Sequence, residues 1–230
     1  MSLHFFFWPL LPLSILFSFF FVFLFFFRFG ISLGFLNRPL TLGILSSIFL
    51  PHWFVGIGIA VFFELLWMDY FPAGTFIPPH RMLATFLALA VAFVLGLQRP
   101  DQIMPLLLLC LPMSWLGTKL EARHRAIQNK TYDTLLERSS QDTDAYCVEG
   151  LVGRSLLLLF GMNAAAFLVA FLLLSLAMAY IPALWPSLSG MGWPHLWAVG
   201  LIGAILSLRI RVAYGVLIMG AFVLSFFVWW

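Results

Sequence analysis

Charge is what this sequence has least of. Its 230 residues carry 12 Lys and Arg and 9 Asp and Glu, 9% of the chain, where a soluble domain usually devotes about 25% to charged side chains. So few charges cannot cover a water-soluble globule that must also bury 27 Phe and 9 Trp, and that class is excluded. Cysteine is nearly as scarce. Cys110 lies in an apolar run and Cys147 in a polar stretch, which makes neither a disulfide framework nor a metal site. No G-x-x-x-x-G-K-[ST] and no H-E-x-x-H occurs, and no aqueous segment is large enough for an ATPase. Gly30-Ile31-Ser32-Leu33-Gly34 matches G-x-S-x-G in form, but a short turn between membrane spans offers no strand-to-helix elbow to expose the serine. The chain is therefore expected to be no enzyme and to hold no cofactor or metal. Any energy source is expected in an ion gradient or another polypeptide.

What is present is apolar: 63% hydrophobic and 18% aromatic residues, with a mean hydropathy of +1.05. Lipid is the expected solvent for most of the surface. A helical span takes roughly 20 apolar residues, whereas a membrane barrel alternates over segments of about ten. Phe5 to Phe27 and Leu156 to Tyr180 are apolar on nearly every face, so helices are expected. The expected fold class is all-α, a single polytopic transmembrane domain over 1–230 with about six to eight membrane segments, one of them re-entrant or broken. The segments fall at 5–27, 41–63, 82–97, 103–117, 153–180, 196–208 and 212–229, with the broken element at 64–81 and an amphipathic polar stretch at 119–150. The first has no basic residue before it and no small-residue cleavage site after it, so it is expected to remain as a span.

The net charge of +3 does not point to nucleic acid, because the bases are scattered at span ends. They read as topology signals. Lys119 to Lys130 carries four bases and one acid directly after a span, which places 119–150 in the cytoplasm. The Ile181 to His195 loop has no Lys or Arg and is expected outside. The N-terminal orientation stays open, since a re-entrant element changes parity.

Between Glu64 and His80 the apolar pattern breaks: Glu64, Asp69, Pro72, Gly74, Pro78, Pro79 and His80 interrupt a stretch that is otherwise apolar and aromatic. Two acids, three prolines and a glycine do not suit a lipid-facing helix, so an element folded inside protein is expected, with the functional core in it. Glu64 closes an apolar run where an ionised carboxylate is costly without partners. It reads either as a carboxylate at a span end, solvated or paired with Arg81 or Arg38, or as an acceptor for a polyhydroxylated solute or a titrating gate. Asp69, Trp67 and Tyr70 combine an acceptor with aromatic faces, the mixture that sugar sites favour, although Trp and Tyr also gather at membrane interfaces. His80 suits a solute hydroxyl or a response to pH, or reads as a satisfied structural histidine. Prolines 72, 78 and 79 free backbone carbonyls for gating or binding. Asn163, inside an apolar span, reads as a link between helices, and Gly56 and Ala60 form a small-residue pair at i, i+4 that lets helices approach closely.

Arg38-Pro39-Leu40, a glycine-dotted stretch, and then Glu64, Gly74, Pro79, Leu83 and Ala84 resemble the membrane component IIC of the mannose, fructose and sorbose family of the bacterial sugar phosphotransferase system. That family reads approximately R-P-L followed by E-x-x-x-x-G-W-x-N-x-G-x-x-x-x-P-D-x-x-L-A. The chain departs from it at Asp69, Tyr70, Pro72 and His80 and ends about one span early, which implies a diverged, C-terminally shortened member. The resemblance implies a sugar-translocating subunit in the bacterial inner membrane. Glu64, Trp67, Asp69, Tyr70, Gly74 and His80 would face a hexose-type solute, and Arg38, Pro39, Pro72, Pro78, Pro79 and Asn163 would shape the gate. It further implies oligomers with a membrane component IID, and soluble IIA and IIB components, with a IIB histidine as phosphoryl donor. Two other readings fit the residues: a non-sugar transporter or scaffold subunit, and a membrane enzyme acting on lipid head groups.

Overall fold

A computed structural model describes residues 3–30, 38–49, 53–70, 77–139, 148–184, 190–208 and 210–229. Among the described residues the chain is all-helical, with no strand. Its helices are α1 (Leu3–Gly30), α2 (Pro39–Phe49), α3 (Trp53–Leu66), α4 (Arg81–Val94), α5 (Pro100–Ser139), α6 (Val148–Leu184), α7 (Trp193–Ser207) and α8 (Arg211–Trp229). Two described stretches are long and apolar enough to cross a membrane, Pro100–Asp133 of α5 and Val152–Tyr180 of α6.

The core is built around α4, which is buried at every residue from Met82 to Ala92. Phe86 of α4, Phe21 of α1 and Phe167 of α6 form a three-ring cluster with centroids 5.0–5.7 Å apart. Such ring pairs add roughly 1 kcal/mol each beyond burial. A Schellman motif ends α4: Gly96, at φ +62, lets its own N–H reach Phe93 O at 3.1 Å and the Leu97 N–H reach Ala92 O at 2.9 Å. The turn that follows is held by Arg99, whose guanidinium lies 2.9 Å from the Asp101 carboxylate, and Pro100 starts α5 at the position where its missing N–H costs nothing.

Residues 41–63, expected as one span, instead fall in two helices that lie side by side. Antiparallel register is fixed by small residues: a Cβ added to Gly43 would overlap the Ala60 Cβ, and one added to Gly56 would overlap the Ser47 hydroxyl. The chain therefore reverses between α2 and α3, where Pro51 and His52 interrupt the apolar run; residues 50–52 lie outside those described. At 1.5 Å per residue, the 11 residues of α2 and 14 of α3 span about 16 and 21 Å. Both are shorter than the roughly 30 Å hydrocarbon core of a bilayer, as are α4 with 14 residues and α7 with 15; what sets α2 and α3 apart is the reversal between them.

A second difference concerns α5. The expected 103–117 span and the front of the 119–150 stretch are one continuous helix of 40 residues, about 60 Å long. Polarity changes at Lys119, but from there to Ser139 no Pro or Gly stops the helix. Glu121 and Arg125 pair at i, i+4 (2.6 Å), while the buried His124 ring lies 3.3 Å from Ser155 O and Gln128 reaches Ser155 Oγ at 2.6 Å on α6.

Contacts also fix helix directions. α7 runs parallel to α3, since Gly58 faces Trp193, Phe62 faces Gly200 and Leu66 faces Gly203. α1 runs antiparallel to α6, with Phe17 on Phe171 and Phe21 on Phe167. Arg38, the C-terminal end of α3, residues 78–81, Gly117 and the C-terminal end of α7 consequently share one end of the bundle.

Candidate functional site

At that end the hairpin is clamped. The Arg38 guanidinium lies 2.9 Å from Glu64 Oε1, and the Leu40 N–H donates to Glu64 Oε2 at 3.2 Å. Pro39 opens α2, so Leu40 carries one of the N–H groups that a helix start leaves unpaired. Glu64 supplies the missing cap from the opposite helix, and its charge lies favourably at the positive end of the α2 dipole. Arg38 is 41% exposed and Glu64 22%. A pair this wet contributes about 1 kcal/mol by itself; its larger effect is to hold the two ends of the hairpin together.

Trp67 is buried and stacked flat on Phe63, with centroids 5.0 Å apart and planes at 9°. Its carbonyl faces the Arg81 guanidinium at 3.5 Å. Asp69 is exposed and Tyr70 half-buried at the rim of the core. Pro72 and Gly74 lie outside the described residues. The structure thus brings Glu64 and Arg38 into contact and sets Trp67 beside them in sequence but inside the core, while Asp69 faces outwards.

His80 belongs to a different constellation. An inverse γ-turn centred on it (φ −75, ψ 78) is closed by Arg81 N–H to Pro79 O at 2.8 Å. The buried imidazole then caps α4, its Nδ1 accepting from the Leu83 N–H at 3.1 Å. One face of α5 grips this turn: Ser114 O accepts from the His80 N–H at 3.1 Å, Thr118 Oγ1 donates to Pro78 O at 3.2 Å, and Gly117 makes room for the His80 side chain. Ser114, Gly117 and Thr118 stand at i, i+3 and i+4, so they share a helix face.

Asn163 is buried, but its amide donates to Leu159 O at 2.9 Å in its own helix. The link from α1 to α6 comes one residue along, where Ser18 Oγ donates to Ala164 O at 2.9 Å.

Sequence reasoning passed over two features here. Ser114 and Thr118 give no signal beyond their helical spacing to Gly117. Ser46 and Ser47, buried near the hairpin tip without hydrogen-bond partners, announce themselves only as a polar pair before Pro51. No group of three or more His, Cys, Asp or Glu able to hold a metal occurs among the described residues. Compared with family models, curated proteins and solved structures, the chain matches none.

Proposed function

We propose that the chain is an integral membrane subunit that carries an uncharged, hexose-type solute, in the manner of a IIC component. The observation that carries this reading is the α2–α3 hairpin: two short helices that return the chain to the end it left, zipped by glycine and serine, clamped by Arg38 and Glu64, and packed against the buried α4. Irregular backbone at membrane depth is tolerated only where protein or a polar cavity surrounds it, and hairpins of this kind line solute paths.

Lipid as solvent is supported by the surface, where Leu157, Val212, Ile48 and Met219 are each at least 70% exposed. Charge supports the topology. Arg38, Arg81, Lys119, Arg123, Arg125, Lys130, Arg154 and Arg211 stand at or beyond the clamped end, and among the described residues Arg99, paired with Asp101, is the base at the other. The positive-inside rule makes the clamped end cytoplasmic. With the helix directions above, α1, α4, α5, α6, α7 and α8 are then six crossings of a bacterial inner membrane, and α2–α3 enters and leaves from the cytoplasmic side. The α5 tail, with Lys119, Arg123 and Lys130 exposed, stands where soluble IIA and IIB partners would dock, and a IID chain would share the membrane.

Glu64→Gln and Asp69→Asn are the direct test in cells. Loss of sugar uptake with normal membrane insertion supports the reading, and wild-type uptake in both removes this site. A scaffold role is favoured by one observation: both Glu64 oxygens already serve the hairpin. Intact association with partner chains, with no solute bound by the wild type, would select it.

A further inference from the structure

The hydroxyl pair at the hairpin tip differs from most of the described helical hydroxyls. Ser175 of α6 is also buried without a partner among the described residues, but it stands alone, whereas Ser46 and Ser47 are adjacent. Ser14, Ser114 and Ser207 each donate to the carbonyl three residues back at 2.7 Å, and Thr85 to the one four back at 2.9 Å. This is the usual way for a helix to satisfy a small hydroxyl in apolar surroundings. Ser46 and Ser47 had the same carbonyls within reach. Instead both are more than nine-tenths buried, and neither Oγ has a partner among the described residues.

Their position is specific. Ser47 lies against Gly56, whose missing side chain leaves room for the hydroxyl, and Leu89 of α4 closes the same spot. Ser46 stands one residue round on the buried face that Leu42 also occupies. From Arg38 to Ser47 the helix rises about 14 Å, roughly half the hydrocarbon depth. Two neutral groups that both donate and accept suit an uncharged hydroxylated molecule better than an ion.

We propose that Ser46 and Ser47 form a hydroxyl-binding step on the solute path, at mid-depth, where the two side chains exchange hydrogen bonds with a polyhydroxylated solute. This rests on the transport reading above. It adds a second polar station beyond the Arg38–Glu64 clamp, and it gives two buried polar atoms the partners that the protein withholds.

The test uses the full chain in lipid nanodiscs, with radiolabelled D-mannose as the probe and thermal unfolding measured without sugar. For the double variant S46A/S47A the expected result is at least tenfold weaker mannose binding and an unfolding temperature equal to or above that of the wild type. Unchanged binding would overturn the pair's role and leave the transport reading standing. A fall of several degrees without sugar would also overturn it, because the hydroxyls would then already be bonded within the protein. If the wild type binds no mannose, the hexose reading fails, and the pair is judged separately by Ser46→Cys and Ser47→Cys in a chain with Cys110 and Cys147 replaced by Ala. Modification of either thiol in the folded protein by 2-hydroxyethyl methanethiosulfonate, a small uncharged hydroxylated reagent, keeps the site. Protection of both thiols removes it.

Discussion

The two ends of the α2–α3 hairpin are built on opposite principles. At the open end every feature of Glu64 is engaged: one oxygen on Arg38, the other on the Leu40 N–H, and charge complementary to the helix start. At the tip, Ser46 and Ser47 are buried deeper and engaged less. The comparison teaches that the charged residues are the hairpin's fastening, while its available hydrogen-bonding capacity is neutral and lies at the tip.

The largest effect is expected where the two halves touch. Gly43→Leu places a side chain where Ala60 and the Gly56 carbonyl already are. Backbone cannot yield as a flexible side chain can, so the loss should exceed the ~1–3 kcal/mol of ordinary overpacking. Size-exclusion chromatography in detergent should show no monodisperse protein. Next comes the clamp. Glu64→Ala strands the Leu40 N–H and the Arg38 charge and should cost about 1–2 kcal/mol. Glu64→Gln, which keeps an acceptor, should recover more than half of that in thermal unfolding. Equal losses in the two variants would mean that charge, rather than capping, holds the open end.

Gly117→Ala probes the neighbouring constellation, since the new Cβ would lie 2.6 Å from His80 Cβ and 2.9 Å from Leu83 Cδ2. A loss of about 1 kcal/mol is expected. The smallest change belongs to Asp69→Asn, an exposed site, where stability should move by less than about 0.5 kcal/mol. A larger shift would show that Asp69 also fastens the fold and would blur the contrast between clamp and tip.

Much of this was legible in the sequence, and the remainder has identifiable physical reasons. Charge scarcity and unbroken apolar runs were enough for an all-helical chain. Pairing of Glu64 with Arg38 stood among the readings because an acid closing an apolar run needs a cation. Gly56 and Ala60 do face a close helix. The reversal between α2 and α3 escaped because hydropathy is identical for a helix that crosses and one that returns; the Gly43–Ala60 and Gly56–Ser47 fits distinguish them. The length of α5 escaped because a polarity change at Lys119 marks the edge of a solvent and leaves the backbone free to continue. Trp67 suggested a sugar platform by its chemistry, yet a ring stacked on Phe63 in the core has the same sequence signature. The middle of the expected 64–81 element, with Pro72 and Gly74, lies outside the described residues, while a reversal that the sequence did not announce falls one helix earlier, between α2 and α3.

Pulsed electron–electron resonance between spin labels at Leu40→Cys and Met68→Cys, in a chain with Cys110 and Cys147 replaced, tests the reversal most directly. Both sites are exposed, and Met68 lies one turn beyond Glu64, whose carboxylate touches the Leu40 N–H. A hairpin predicts a label separation below about 25 Å, one helical turn of about 5.4 Å plus the reach of two label arms. A continuous rod through residues 40 to 68 would give about 42 Å, and that distance would contradict the account.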